Sequence, residues 1–315
     1  MNNKNCIIFD TDMDTDCDDV GAYAMVLEAH LQNKAELIGV IADSVCAYAA
    51  PCCEMIAKYY GVDVPIGTLH PDDYSSTPAD ISRFLAYRNH SQNCLSAKRS
   101  YNFVFAEEIK KSHKDYPSAV SVYRKLLSES EDHSVTVLCV GMLTAITELL
   151  ASEPDEISHL SGVALFDKKV TRVITMGNSV EVNDFNWGMD AYATNQFFTL
   201  CPSPIYVSSD GAGVLTGDHL SFALPSVHPL KRAYEIWLRK PNCGRASWDL
   251  IAALYAIDPH TPYLRIEDFG DGFYSVEKKQ FFRKNTGKEN KKRIVINCDV
   301  SKMAEYLNKA MLGLQ

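Results

Sequence analysis

Six of the ten residues in positions 10–19 are aspartates: Asp10, Asp12, Asp14, Asp16, Asp18 and Asp19. They follow directly on an apolar run, Cys6-Ile7-Ile8-Phe9, so the segment reads IIFDTDMDTDCDDVGAYAM. Two carboxylates about 5 Å apart repel by roughly 3 kcal/mol at an effective dielectric near 20. A folded chain keeps so many together only where solvent, hydrogen bonds or a cation offset the repulsion. An all-oxygen donor set suits a hard cation, Ca²⁺ or Mg²⁺, better than zinc. The competing reading is a solvated acidic loop. Position argues against it, because open α/β sheets bind ligands at the carboxyl ends of their strands.

An EF-hand requires Gly at the sixth loop position and Glu at the twelfth. Counting from Asp10 these are Thr15 and Gly21, and from Asp12 they are Cys17 and Tyr23, so that motif fails. A phosphatase of the haloacid dehalogenase type opens on a strand followed by DxDx(T/V), but Asp14 stands where Thr or Val belongs. A later carboxylate, Asp249 in SWDLIAAL, sits at the head of an apolar helical run. Read alone it could be a helix cap. Asn178 and Asn186 could likewise be loop asparagines that satisfy backbone groups.

Strand-like runs at 6–9, 37–42, 135–140, 172–176 and 205–208 alternate with helical patterns at 20–31, 51–60, 118–127, 143–150 and 191–198. Such alternation predicts right-handed βαβ units and a largely parallel, mixed α/β sheet flanked by helices. Further helices are expected at 229–238 and 246–257, the first amphipathic with a solvated basic face or an oligomer contact. Residues 274–296 read as a β-hairpin around a Lys/Asn/Gly turn. Residues 69–116 are polar and weakly periodic, which predicts a mobile insert in a single domain spanning 1–315.

The chain is 46% apolar and 23% charged with a net charge of -9, a soluble globular composition that argues against nucleic-acid or anionic-membrane binding. The four-residue apolar run near the N-terminus is too short for a signal h-region, and no stretch has the length of a membrane span. Ten scattered cysteines without a CxxC pair read as reduced core thiols. These features lead to an expected cytoplasmic location, with a processed secreted form as the alternative.

The motifs together resemble the nucleoside hydrolase family, calcium-dependent ribohydrolases with a Rossmann-like core. Asp10-Thr11-Asp12 followed by Asp18-Asp19-Val20-Gly21 is similar to the family's opening signature, with a turn about two residues longer. VTVLCVGMLTAITELL resembles its next strand-turn-helix, VITMGN with NDFNWGMDAYA its ribose-binding stretch, and GRASWDLIAALYAI the segment with the last metal carboxylate. The resemblance implies a Ca²⁺ site of Asp12, Asp19, Asp249 and the Val140 carbonyl, with Asp12 as general base. It implies substrate contacts from Asp18, Asp43, Met176, Asn178, Asp184, Asn186 and Asp249. Asp184 stands where the family usually has Glu, and Trp248 where some members carry a leaving-group His. Stacking of a purine on Trp248, or a donor such as Tyr87 or His90 from the 69–116 region, would then assist the base. Asp10 supports the site from the strand end, while Asp14 and Asp16 receive no role. The implied activity is N-glycosidic hydrolysis of ribonucleosides by a homodimer or homotetramer. A non-catalytic metal- and ribose-binding member is the alternative.

Overall fold

The computed structural model describes residues 5–13, 16–70, 100–178, 180–285, 287 and 290–315. In chain order the strands are β1 (Cys6–Thr11), β2 (Glu36–Ala42), β3 (Ile66–Thr68), β4 (Val135–Cys139), β5 (Val170–Met176), β6 (Ile205–Ser208), β7 (Leu215–Thr216), β8 (Arg245–Ala246), β9 (Leu264–Asp268), β10 (Gly272–Ser275), β11 (Gln280–Arg283) and β12 (Lys291–Ile296). Eight of them form one sheet in the order β3-β2-β1-β4-β5-β6-β12-β9. All neighbours pair in parallel except β9, which runs antiparallel to β12. β1, β2 and β4 are apolar and almost wholly buried because helices cover both faces of the sheet. The expected α/β class and largely parallel sheet are therefore observed.

Strand order reverses at β1, which lies between β2 and β4. The chain winds outward from β1 on one side through β2 and β3, and on the other through β4, β5 and β6. A crevice opens where the connections diverge, above the carboxyl ends of β1 and β4. Two helices begin at that crevice, Asp18–Leu31 and Trp248–Ile257, and they pack against each other. Gly21 permits their close approach, since a Cβ there would lie 2.9 Å from Leu250 Cδ1 and 2.7 Å from the Tyr234 hydroxyl.

Two details differ from the sequence reading. The hairpin is β10 with β11, and it closes before the Lys/Asn/Gly segment. Residues 291–296 instead pair in parallel with β6, as the edge of that strand was open to them. Within the polar 69–116 stretch, Tyr101–Ile109 is helical, with Phe105 and Ala106 buried against the Ala49–Tyr59 helix. Its short apolar face was hidden among the polar residues around it. Among the described residues, no helix is long and apolar enough to cross a membrane.

Candidate functional site

β1 ends in side chains that diverge. Asp10 is fully buried and accepts a hydrogen bond from the Tyr123 hydroxyl; burial raises its carboxyl to about 8 despite that bond. Thr11 donates through its hydroxyl to Asp19 and accepts the Met13 N–H at 3.2 Å. Asp12 follows, 1% exposed, at the floor of a cleft of about 450 Å³. The backbone at Gly141 lies hard against it. A Cβ there would be 2.5 Å from the Asp12 nitrogen and 2.8 Å from its Cβ.

The helix beginning at Asp18 presents Asp18 and Asp19, and the one beginning at Trp248 presents Asp249. Carboxylate oxygens of these three buried residues lie within 4.8 Å of one another. Asp18 accepts the Asp249 N–H at 3.2 Å across 231 residues of sequence. Asp19 is in hydrogen-bond contact with Asp12 as well as Thr11. Burial raises Asp18, Asp19 and Asp249 well above the usual carboxylate range, and repulsion from neighbouring aspartates raises them further: Asp16 and Asp19 on Asp18, Asp12 and Asp16 on Asp19, Asp18 and Asp19 on Asp249. The positive ends of two helix dipoles offset part of that repulsion. Oδ1 of Asp249 is buried without a hydrogen-bond partner and faces the same cluster, so a cation there would satisfy it. The donor set and this orphaned oxygen fit a hard divalent cation.

The opposite wall comes from the ends of β4 and β5. Val140 lines the cleft, and its carbonyl accepts a hydrogen bond from Asn186 Nδ2 at 2.7 Å. Met176, Asn178 and Asp184 line it too. Asp184 caps the Phe185–Met189 helix by accepting the Trp187 N–H at 2.7 Å, and burial raises its carboxyl to about 6. Asn178 donates to the Asn183 carbonyl at 3.3 Å. Ten of the sequence-predicted residues thus meet in one cleft: Asp12, Asp18, Asp19, Val140, Met176, Asn178, Asp184, Asn186, Trp248 and Asp249.

Asp43 does not join them. It is fully buried, accepts the Ala145 N–H at 3.0 Å at the start of the Thr144–Leu150 helix, and is absent from the cleft lining. The side chain is used as a bracket between β2 and that helix, a role that its place after a strand does not distinguish from substrate contact. Tyr87 and His90 lie outside the described residues.

The lengthened turn supplies an unanticipated feature. Asp16 lines the cleft and is paired with Arg245, whose Nε lies 2.9 and 2.8 Å from its two oxygens. Arg245 also stacks on Trp248, its guanidinium carbon 5.2 Å from the ring centroid. A lone arginine four residues before Asp249 was the available signal. Phe185, Ser209 and Trp237 also line the cleft.

The family model described as inosine-uridine preferring nucleoside hydrolase matches residues 7–305. No curated protein sequence matches the chain. Among solved structures, an inosine-uridine preferring nucleoside hydrolase from Bacillus anthracis superposes with a TM-score of 0.65 at 13% identity, covering 98% of this chain and 99% of that one. A purine-preferring ribonucleoside hydrolase from Gardnerella vaginalis gives 0.66 at 16% identity, covering 98% of each chain. The type III effector XopQ, solved with adenosine diphosphate ribose, gives 0.67 at 13% identity, covering 99% of this chain and 94% of that one. At these identities the superpositions speak for the fold alone.

Proposed function

The chain belongs to the inosine-uridine preferring nucleoside hydrolase family, whose enzymes cleave N-glycosyl bonds, and from that premise we propose that it hydrolyses ribonucleosides to free base and ribose in the cleft at Asp12. The observation that carries this reading is the convergence of Asp18, Asp19 and Asp249 beside Asp12 at the strand ends. Ca²⁺ held by Asp12, Asp19, Asp249 and the Val140 carbonyl would neutralise the buried carboxylates and acidify water.

Asp12 takes the proton of the attacking water as its oxygen forms a bond to the anomeric carbon. Its backbone is fixed against Gly141, so the base has little freedom to wander. Asp18, itself held by the Asp249 amide, accepts a ribose hydroxyl. The other ribose hydroxyl falls to Asp249 and Asn186. With its amide group donating to Val140, Asn186 offers Oδ1 as acceptor. Asp184, Asn178 and Met176 border the sugar on the opposite wall. These contacts orient the ring and favour positive charge developing in an oxocarbenium-like transition state. Asp43 is assigned no sugar contact. We further read residues 1–315 as one domain that acts on a small-molecule nucleoside as a homodimer or homotetramer, which sedimentation or light scattering tests.

The deciding experiment incubates purified protein with a panel of purine and pyrimidine ribonucleosides, with Ca²⁺ and with a chelator. Ribose release that requires the cation, lost in Asp12→Ala and Asp19→Ala, is the expected result. No ribose from any nucleoside would favour a non-catalytic metal and ribose binder. Phosphate release from phosphomonoesters with Mg²⁺ would favour a phosphatase.

A further inference from the structure

We propose that Arg245 is the group that stabilises the departing base, and that Asp16, from the lengthened turn, is the residue that positions it. The inference rests on the hydrolase reading of the same cleft. Breaking the C1′–N bond sends its electron pair onto the base, so the leaving group gains negative charge as the water oxygen bonds to C1′. A cation on the base side of the cleft lowers the barrier by meeting that charge.

Among the described residues that line the cleft, Arg245 is the cation, and it is held from two sides. Asp16 fixes its Nε and one terminal nitrogen, and the Trp248 indole lies against its guanidinium. Asp16 is itself anchored, for its Oδ1 accepts the Cys17 N–H at 2.6 Å and the Tyr101 hydroxyl donates to its backbone carbonyl. Nη1 of Arg245 makes no hydrogen bond among the described residues, and the side chain is 34% exposed. A braced guanidinium whose Nη1 amino group is left over is pre-organised to donate outward. The stack also covers part of the indole, so Trp248 serves first as the plate beneath Arg245 and not as an open face for a purine.

A guanidinium keeps its proton at any pH the protein survives. Arg245 therefore acts by charge and hydrogen bonding: the base leaves as an anion contacted by Nη1, and solvent protonates it afterwards. A donor-only group of this kind serves a base with a carbonyl acceptor, such as hypoxanthine, and does nothing for a leaving group that departs readily as an anion.

The test compares inosine with p-nitrophenyl β-D-ribofuranoside in wild type, Arg245→Met, Arg245→Lys and Asp16→Asn, each checked for a native melting transition. Arg245→Met is expected to lose about 100-fold in kcat/KM on inosine and less than about 5-fold on the nitrophenyl riboside. Asp16→Asn is expected to show the same leaving-group dependence at smaller amplitude, and Arg245→Lys, which keeps the charge without the brace, falls between wild type and Arg245→Met. Equal losses on both substrates, or none on inosine, overturn the proposal while the hydrolase reading stands. If wild type cleaves neither substrate, both readings fall.

Discussion

Asn186 Nδ2 lies 2.7 Å from the carbonyl oxygen of Val140, joining the end of β4 to the helix that follows β5. The amide is 3% exposed, so the bond is shielded from water. It holds in place the carbonyl proposed to face the cation. Outer groups of this kind tune metal affinity by about 10- to 100-fold. Asn186→Leu should therefore bind Ca²⁺ at least about 10-fold more weakly than wild type by calorimetry. Unchanged affinity would mean that Val140 does not face the ion.

Asp249 sets stability against binding. Burial and the neighbouring Asp18 and Asp19 raise its carboxyl, so without a cation the cluster strains the fold. Asp249→Asn should raise the melting temperature of chelated protein by roughly 2–4 °C. Millimolar Ca²⁺ should then raise the melting temperature of wild type but leave the variant where it was. A variant that melts lower than wild type in chelator would show that the carboxylate is a structural acceptor only.

Glu54 gives the fold an acid-sensitive tie. Burial alone would raise its carboxyl, but hydrogen bonds from Lys111, Lys58 and Tyr116 prevail and hold it down to about 2. Lys111 Nζ lies 2.8 and 2.9 Å from the two oxygens, joining the Ala49–Tyr59 helix to the segment after Tyr101–Ile109. A depressed carboxylate stabilises the native state above its unfolded value of 4.5, and that contribution disappears as pH falls towards 2. Glu54→Gln should thus be less stable than wild type by about 1–2 kcal/mol at pH 7. In urea melts at pH 7, 4 and 2.5 the gap should narrow progressively. A gap independent of pH would assign it to packing.

The sheet was legible in the sequence because a parallel strand buried on both faces is written as a near-continuous apolar run, as in Ile7-Ile8-Phe9 and Val137-Leu138-Cys139. Ile66–Thr68 and Leu264–Asp268 escaped, one for being three residues long and the other for having four exposed residues on the sheet edge. The acidic cluster itself was legible because repulsion makes buried neighbouring carboxylates improbable without a purpose, and Asp18 and Asp19 do meet Asp249 in the fold. Asp43 was singled out for the same reason, and it lies outside the cleft lining. One of its oxygens accepts the Ala145 N–H while the other is buried without a hydrogen-bond partner, so burial in the sequence pattern does not tell a structural bracket from a ligand contact. Arg245 was hidden because its meaning lies in a contact 229 residues away, to Asp16, and in a cation–π contact with Trp248 that residue spacing alone does not announce.

Gly141 tests whether the position of Asp12 matters as much as its chemistry. The residue has no Cβ, and the backbone of Asp12 occupies the space where one would stand, 2.5 Å from the nitrogen and 2.8 Å from Cβ. Contacts under 3 Å to backbone cannot be relieved by turning a side chain, so Gly141→Ala must push β1 and the turn after β4 apart. A shift of about 1 Å at a reacting group can lower a rate by about 100-fold. Overpacking of a well-filled interior destabilises by about 1–3 kcal/mol. The variant should therefore fold, melt somewhat lower, and lose about 100-fold in kcat for ribose release. Full activity in a folded Gly141→Ala protein would show that Asp12 tolerates displacement and would remove it as the general base.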